Sequence, residues 1–411
     1  MKRILFFTSA RSDFGTIKLL IKQSTKPQWD MEPFLLVSGS HFLKSKGYTY
    51  TEIEEENLLL EDHVFQISNF SEEADAHTLC TGIGKTLVSI SDLLLQREFD
   101  GIIIFGDRYE LFTLTVPALM HKVPLFHISG GEVTEGAIDD SVRHATTKLS
   151  HIHLVANKHY AKNISLMGEE DWRIQIVGEC DLDNLYTDAL TSKEEISEKF
   201  GIDLNAKVIL VTFHPSTLDE APIVVQINSL LSALENFVDK FQIVFTAPGN
   251  EIGADYITNR IREFIYRHPN CRFVDHLGSR NYLTVLKNSQ VIVGNSSSGI
   301  VEAPSLCIPS VDVGSRQKNR LAAKSVVHVG YNSDEIVNGI RMCLSEEFRN
   351  GIKDVDNPYD PYKDGRGSER AIRAISNALN MSKEKLLIKR FDNSLNSKEW
   401  NYLLRGDMNE K

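Results

Sequence analysis

Short, apolar, β-rich runs separated by stretches typical of helices recur along the chain, and this alternation constrains the fold more than any other feature. Several runs are almost continuously apolar, as expected of parallel strands covered by helices on both faces, so the pattern predicts α/β, doubly wound domains. The runs form two sets, and 411 residues exceed the usual size of a single-core domain, so we expect two Rossmann-like domains facing each other across a cleft. The predicted strands are residues 4–7, 34–37, 102–105, 125–128 and 152–155 in the first set, and 208–212, 243–245, 273–274, 291–293 and 310–313 in the second.

Changes in composition indicate where the domains begin and end. Strand-like IQIVGE gives way to polar, acidic sequence within residues 178–192, and residues 357–367 are rich in Pro, Gly, Asp and Tyr. The charged, polar sequence from Met381 onward is interpreted as a helical tail. We therefore predict a first domain at residues 1–180, a second at 181–367, and a C-terminal helix and tail at 368–411, with the helix packing back on the first domain.

Composition and charge exclude several classes of protein. The net charge is −11 and no stripe of Lys and Arg is present, which argues against nucleic acid as a partner. No run approaches the ~20 apolar residues of a membrane span, and the apolar N-terminal run reads as a buried strand and not as a signal peptide, so we expect no membrane partner. The five scattered cysteines contain no CxxC pair, which indicates neither a disulfide framework nor a zinc ribbon. We expect a cytoplasmic protein.

Polar and glycine residues concentrate directly after the predicted strands. In doubly wound sheets, ligands bind outside the carboxyl ends of the strands, so these positions are the first candidates for a site. They comprise Arg11, Ser12 and Asp13 after the first strand, then Asp107, Arg108 and Glu110, then Ser129, Gly130, Gly131 and Glu132, then His214, and finally residues 294–299.

The segment GNSSSGIVEAP, residues 294–304, favours phosphate binding. Small residues let the backbone approach a phosphate, and a helix that begins near Ser298 would present N–H groups and a positive dipole end. Glu302, one turn into that helix, would accept from ribose hydroxyls. The alternative is a serine N-cap with an ordinary acidic first turn, but three serines exceed what a cap needs. The candidate phosphate ligands are Ser296, Ser297, Ser298 and Gly299.

Two segments supply candidate acid and base groups. GDRYE places Asp107 and Arg108 at a strand end, and HISGGEVTEGAIDDSVRH places Glu132 on a Gly-Gly loop and Asp139 near the expected start of a helix. Such a cluster of carboxylates can exchange protons with a substrate. The alternative makes the aspartates helix caps and leaves Glu132 and Arg108 exposed to solvent. Both interpretations stay open at this point.

Two further motifs suit an anion. His214 in TFHPST is fixed before a proline and can contact phosphate or shuttle a proton, although a structural histidine is the alternative. Arg316 in GSRQKNR follows another strand, and a solvated basic loop is the alternative there.

The sequence motifs for metals, dinucleotides and phosphate-binding loops are incomplete. The triplet Gly84-Lys85-Thr86 lacks the earlier glycine of a phosphate-binding loop, since Leu79 occupies that position. His151 and His153 have no further metal-ligand cluster nearby, and no GxGxxG follows the first strand. We therefore expect no metal and no redox cofactor.

The ordered set of motifs resembles the hydrolysing UDP-N-acetylglucosamine 2-epimerase family of bacterial sialic acid biosynthesis. The motifs are RSDFG, GDRYE, H-I-x-G-G-E with IDDSVRH, FHPST, GNSSSG-x-x-E and GSRQ, and they span residues 11–320. The resemblance implies the two-domain GT-B architecture, with a UDP-sugar substrate, no cofactor, and assembly as a homodimer or homotetramer.

The resemblance also implies roles for individual residues. Ser296 and Ser297 would contact phosphates and Glu302 the ribose, while Arg11, Arg108 and His214 would face the diphosphate or sugar. Asp107 and Asp139 match carboxylates to which the family assigns catalysis. Many members carry a catalytic glutamate at the third position of H-I-x-G-G-E, where this chain has Ser129, so Glu132 becomes a further catalytic candidate.

The implied reaction converts UDP-N-acetylglucosamine and water into N-acetylmannosamine and UDP. Departure of UDP makes the proton on sugar carbon 2 easier to remove, and a carboxylate completes an anti elimination to a glycal, which water then hydrates. Alternatives are a hydrolysing homologue on a GDP-linked or diacetamido sugar of a legionaminic-type pathway, and a non-hydrolysing 2-epimerase. A GT-B glycosyltransferase and a nucleotide-sugar sensor are more remote.

Overall fold

The computed structural model describes residues 1–72, 75–134, 138–187, 190–216, 219–248, 253–393 and 400–404. The chain divides into two compact units. The first comprises Met1–Glu132, Ile138–Asp183 and the chain from Arg366 onward, and the second consists mainly of Asn184–Gly365. Each unit is a parallel β-sheet with helices packed against it, so the predicted α/β class with two doubly wound units is confirmed.

The sheet of the first unit has seven strands among the described residues, all parallel, in the order β3-β2-β1-β4-β5-β6-β7. The strand order reverses between β1 and β4, which is where a doubly wound sheet opens a crevice for a ligand. The strands are β1 (Lys2–Thr8), β2 (Met31–Val37), β3 (Val64–Gln66), β4 (Gly101–Phe105), β5 (Leu125–Ile128), β6 (Ile152–Val155) and β7 (Ile174–Ile176).

The sheet of the second unit has six parallel strands among the described residues, in the order β10-β9-β8-β11-β12-β13. Its order reverses between β8 and β11. The strands are β8 (Val208–Thr212), β9 (Gln242–Thr246), β10 (Arg272–Val274), β11 (Ser289–Gly294), β12 (Ser310–Val313) and β13 (Val326–Val329).

Both sheets are buried on both faces, because successive side chains of a strand enter different apolar clusters. In β1, Ile4 and Phe6 belong to one cluster and Leu5 and Phe7 to another. The second sheet divides its side chains in the same way between two clusters of its own. This double burial explains the continuous apolar runs in the sequence.

Helices cover both faces of each sheet. Those of the first unit are α1 (Arg11–Ser24), α2 (Tyr50–Glu56), α3 (Ala76–Gln96), α4 (Phe112–Met120), α5 (Ile138–Leu149), α6 (Lys158–Leu166), α15 (Gly367–Leu379) and α16 (Lys383–Leu387). Those of the second unit are α7 (Asn184–Thr187), α8 (Lys193–Phe200), α9 (Ile223–Leu234), α10 (Ala254–Arg267), α11 (Ser279–Asn288), α12 (Ser298–Ser305), α13 (Ser333–Leu344) and α14 (Glu346–Gly351).

The described part of the C-terminal tail is mostly not helical, which corrects the prediction of a helical tail. After α15, the helix α16 has only five residues. The buried guanidinium of Arg173 fixes this segment by donating hydrogen bonds to the carbonyls of Leu386 at 2.8 Å and Ile388 at 2.6 Å. The segment is therefore anchored by a side chain of the first unit more than by helix formation.

Among the described residues, one helix, α3, is long and apolar enough to cross a membrane by length and composition alone, with a mean hydropathy of 1.3 over its most apolar window. No segment of this kind was expected from the sequence, because the apolar positions of this stretch are interrupted by small and polar residues. Its buried positions recur every four residues along one stripe: Gly82, Thr86, Ile90 and Leu94. A helix with one face in a protein core passes the same test.

Candidate active site

The carboxylate of Asp13 organises the loop between β1 and α1. It is buried and accepts hydrogen bonds from the backbone N–H of Ser9 at 3.0 Å and of Ala10 at 3.1 Å, and also from the hydroxyl of Thr8. The same Thr8 oxygen lies 2.9 Å from Nε2 of His41. Burial lowers the pKa of His41 below its ordinary value, so the ring serves as a neutral hydrogen-bonding group. This network fixes the backbone from which Arg11, the first residue of α1, projects.

The end of β4 carries two ion pairs. Asp107 is paired with the buried guanidinium of Arg143, which comes from α5. Arg108 donates a hydrogen bond to Oε1 of the fully buried Glu110 at 2.9 Å. Burial of Arg108 opposes its charge, but the carboxylate of Glu110 prevails and raises the pKa of Arg108 above its ordinary value. Both positive groups are thus held in place beside the carboxyl end of the sheet.

The end of β5 is tied to the end of β4. His127 is fully buried, with Nε2 2.8 Å from the carbonyl oxygen of Gly106, and burial lowers its pKa to about 3. Ser129 has a φ of 60°, the left-handed region that non-glycine residues rarely adopt. Its hydroxyl donates to the carboxylate of Glu179, with oxygens at 3.0 and 3.1 Å. The loop after β5 is therefore held in a fixed, strained form.

The remaining carboxylates of the first unit lie close to the same loop in sequence. Glu132 is 4% exposed, so the interpretation of this residue as solvent-exposed is wrong. Asp139 is half-buried in the first turn of α5, one turn before Arg143. The residues that precede α5 directly, 135–137, lie outside the described part of the chain.

In the second unit, the loop between β11 and α12 approaches the end of β8 closely. Gly294 has a φ of 141°, and a Cβ at this position would lie 1.9 Å from the carbonyl oxygen of Thr212. The fully buried amide of Asn295 accepts from the N–H of His214 at 2.7 Å and donates to its carbonyl at 2.8 Å. These contacts hold His214 next to the three serines.

The helix α12 begins at Ser298, as predicted, and its approach to the sheet depends on a second glycine. A Cβ on Gly299 would lie 2.5 Å from the hydroxyl oxygen of Ser310 on β12. Ser297 is exposed, Ser296 and Glu302 are half-buried, and Ser298 is buried. The start of α12 therefore offers hydroxyls and backbone over a tightly packed base.

Arg316 belongs to the same loop system. Its Nη1 donates to the carbonyl oxygen of Asn295 at 3.0 Å, and the amide nitrogen of the buried Gln317 donates to that oxygen at 2.8 Å. The interpretation of this segment as a free, solvated basic loop is wrong for Arg316, which is half-buried against the serine loop.

Within each unit, the structure brings the candidate residues to the carboxyl ends of the strands. Arg11, Asp107, Arg108 and Glu132 follow β1, β4 and β5, and Asp139 opens α5 shortly after. In the second unit, His214, Glu302, Arg316 and residues 296–299 surround the ends of β8, β11 and β12.

Two supporting residues, Arg143 and Glu179, were not among the candidates, and the contacts above place both within the loop system of the first unit. Arg143 lies inside a motif already recognised, so a search for partners of each motif residue would have included it. The pairing of Glu179 with Ser129 crosses 50 residues, and no local pattern predicts it.

Among the described residues, no group of three or more His, Cys, Asp or Glu side chains is arranged to hold a metal ion. His151 and His153 have separate partners. His151 accepts at Nδ1 from the N–H of Leu125 at 3.0 Å, and His153 lies 3.0 Å from the carboxylate of Glu169. Each histidine therefore has a structural hydrogen-bond partner of its own.

Comparison with known proteins places these features in context. The family model described as UDP-N-acetylglucosamine 2-epimerase matches residues 23–376. The chain is 33% identical over 394 residues to a UDP-N-acetylglucosamine 2-epimerase of Neisseria meningitidis, covering 94% of this chain and 99% of that protein. It is 31% identical over 361 residues to polysialic acid biosynthesis protein P7 of Escherichia coli, covering 87% and 90%.

A third relative is the UDP-N,N'-diacetylbacillosamine 2-epimerase (hydrolyzing) of Legionella pneumophila, which is 29% identical over 376 residues. The match covers 91% of this chain and 96% of that protein. Among solved structures, UDP-GlcNAc 2-epimerase from Neisseria meningitidis bound to UDP-GlcNAc superposes with a TM-score of 0.76. That pair is 18% identical and covers 91% of this chain and 99% of the other, which shows a common fold.

Proposed function

The chain belongs to the UDP-N-acetylglucosamine 2-epimerase family and is a nucleotide-sugar 2-epimerase, and on this premise we propose that it is of the hydrolysing kind. The proposed reaction converts UDP-N-acetylglucosamine and water into N-acetylmannosamine and UDP, for sialic acid synthesis. The observation that carries the proposal is Asp107, which is ion-paired with Arg143 at the end of β4, where a carboxylate can exchange a proton with a bound sugar. The relatives named for polysialic acid biosynthesis and for a hydrolysing epimerase support it.

The second unit is proposed to bind the nucleotide. Phosphate oxygens suit the start of α12, where helix dipole, serine hydroxyls and close backbone combine. Glu302, one turn into the helix, suits the ribose hydroxyls. The proposed diphosphate ligands are Ser296, Ser297, Ser298, Gly299, His214 and Arg316.

The first unit is proposed to supply the acid and base. In the first step, a carboxylate removes the proton from carbon 2 while the bond between carbon 1 and the diphosphate breaks, which gives a glycal and UDP. Arg11 and Arg108 would stabilise the negative charge that develops on the leaving diphosphate. In the second step, water adds at carbon 1 and an acid protonates carbon 2 from the opposite face. The proposed carboxylates are Asp107, Glu132 and Asp139.

Proton NMR of the purified protein with UDP-N-acetylglucosamine in deuterated water tests the proposal. We expect free UDP and N-acetylmannosamine that carries deuterium at carbon 2. Formation of UDP-N-acetylmannosamine would instead establish the non-hydrolysing reaction. Unchanged substrate would overturn this choice of sugar.

A diacetamido sugar is the second candidate substrate, because the Legionella relative is named for one and is nearly as similar to this chain as the other two. Both UDP-sugars should therefore be offered together at equal concentration. Faster release of UDP from the diacetamido sugar, seen as the faster loss of its anomeric proton signal, would assign the enzyme to that substrate.

A further inference from the structure

We propose that Glu179 is a further acid/base residue of the epimerase reaction. It acts at the end of β5, where the hydroxyl of Ser129 cannot serve as acid or base. The inference rests on the proposed function and concerns the same site. Glu179 lies outside every motif that led to that function. It reaches the site only through the fold.

The contact between the two side chains is specific. Both carboxylate oxygens of Glu179 lie within hydrogen-bond distance of the Ser129 hydroxyl, at 3.0 and 3.1 Å. Glu179 and Ser129 are each 7% exposed. This contact holds the carboxylate of Glu179 at the end of β5.

The sheet explains how a residue 50 positions away arrives there. Glu179 follows β7, and the first residue beyond that strand, Val177, donates its N–H to the carbonyl of Val155 at the end of β6 at 2.9 Å. Ser129 in turn donates its N–H to the carbonyl of Leu154 on β6 at 2.9 Å. The loops after β5 and β7 thus meet over the end of β6, at the carboxyl edge of the sheet.

The same edge carries Asp107. Phe105 on β4 is in register with Ile128 on β5, and the N–H of Gly106 donates to the carbonyl of Ile128 at 3.0 Å. Asp107 and Ser129 therefore each follow directly after this joined pair of strand ends. The carboxylate of Glu179, hydrogen-bonded to Ser129, belongs to the same row of strand ends as Asp107.

The reaction needs what this pair of carboxyl groups can supply. One group, as carboxylate, takes the proton from carbon 2; the C–H electron pair forms the double bond, and the electron pair of the breaking C–O bond leaves with UDP. The other, as carboxylic acid, then protonates carbon 2 from the opposite face while water bonds to carbon 1. The second proton of that water restores the acid, and the proton first removed is released to solvent. A serine hydroxyl is too weak an acid and base for either step, whereas a carboxyl group suits both.

The test compares Glu179→Gln, Ser129→Ala and the double variant Ser129→Glu/Glu179→Gln with wild type on the sugar that wild type turns over. We expect Glu179→Gln to lower kcat by about 100-fold or more, with the Kd for UDP within about twofold and one limb of the pH–rate profile lost. Ser129→Ala should lose less than about tenfold. The double variant, which moves the carboxylate to the β5 loop, should recover at least about tenfold over Glu179→Gln. Glu98→Gln, at an exposed position of the same unit, is the control.

Two results would overturn the proposal: wild-type kcat in Glu179→Gln, or equal losses in Glu179→Gln and Ser129→Ala with an unchanged pH profile, since both indicate a positioning role at most. Thermal unfolding and UDP binding identify a variant that has failed to fold. If Glu179→Gln fails to fold, the pH–rate profile of the double variant decides, because the proposal requires the moved carboxylate to give both limbs of the profile. Failure of the proposed function has a different signature, because wild type itself would then release no UDP from either sugar.

Discussion

Gly294 illustrates how a single missing side chain shapes the loop between β11 and α12. Its φ is 141°, and the 1.9 Å that would separate an added Cβ from the carbonyl oxygen of Thr212 leaves no room for alanine. We expect Gly294→Ala to lower the free energy of unfolding by about 3 kcal/mol or more and to weaken UDP binding. Urea unfolding and UDP titration measure both. Gly351→Ala, where a Cβ meets nothing within 4 Å, should change stability by less than about 1 kcal/mol, and equal effects of the two substitutions would contradict the argument.

Asp107 and Asp139 can be tested together. The double substitution Asp107→Asn/Asp139→Asn removes two proposed proton-exchanging groups while it keeps their shape. We expect no detectable turnover and a Kd for UDP within about threefold of wild type, because the proposed nucleotide ligands lie in the other unit. Asp62→Asn, at an exposed position, is the matched control. Turnover like that of wild type in the double variant would remove both residues from the mechanism.

Candidate residues were predicted from the sequence where they share a short motif with a glycine or a strand end. His214, Ser298 and Asp107 are of this kind, because the end of a buried strand marks the position of the side chains that follow. Glu179 is of the other kind, since its partner Ser129 is set by the order of β5, β6 and β7 in the sheet. That order is a property of the tertiary fold, and no spacing along the chain encodes it.

Burial determines which strands could be predicted from the sequence. Every predicted strand lies within an observed strand, because a strand that is buried on both faces has a continuous run of apolar residues. The unpredicted strands β3 and β13 lie at sheet edges and are mostly half-buried or exposed. Partial exposure removes the apolar signal, so these two strands are defined by pairing with a neighbour.

The start of α15 depends on one carboxylate from a distant part of the chain. Buried Asp183 accepts hydrogen bonds from the N–H of Gly367 at 2.8 Å and of Ser368 at 2.7 Å. Asp183→Ala leaves both donors without this acceptor, so we expect a loss of about 1–2 kcal/mol in the free energy of unfolding. Urea unfolding measures the loss. Asp62→Ala should cost less than about 0.5 kcal/mol, and a similarly small effect at Asp183 would show that α15 is held by its apolar face alone.

At the scale of the molecule, titrating groups are distributed unevenly between the two units. The first unit buries four histidines. Burial lowers the pKa of His127 and His151 to about 3, that of His153 to about 4, and that of His41 below its ordinary value. In the second unit, the hydrogen bond from His328 to Asp312 raises the pKa of His328. An unfolded histidine titrates near 6.5, so acidification favours unfolding of the first unit, while His328 adds stability below that pH.

We therefore expect the first unit to lose stability steeply as the pH falls from about 6.5 towards 4. Over this window the four buried histidines bind up to four more protons in the unfolded state, while Asp181, whose pKa burial raises to about 6, binds up to one more in the folded state. The net difference of up to about three protons corresponds to at most about 4 kcal/mol per pH unit. Tryptophan fluorescence during urea unfolding reports on this unit, because Trp29, Trp172 and Trp400 all belong to it. His151→Gln should reduce the slope by about one proton, whereas His77→Gln, at an exposed position, should leave it unchanged. A folded state that gains stability on acidification, or equal slopes in His151→Gln and wild type, would show that these histidines are protonated in the native protein.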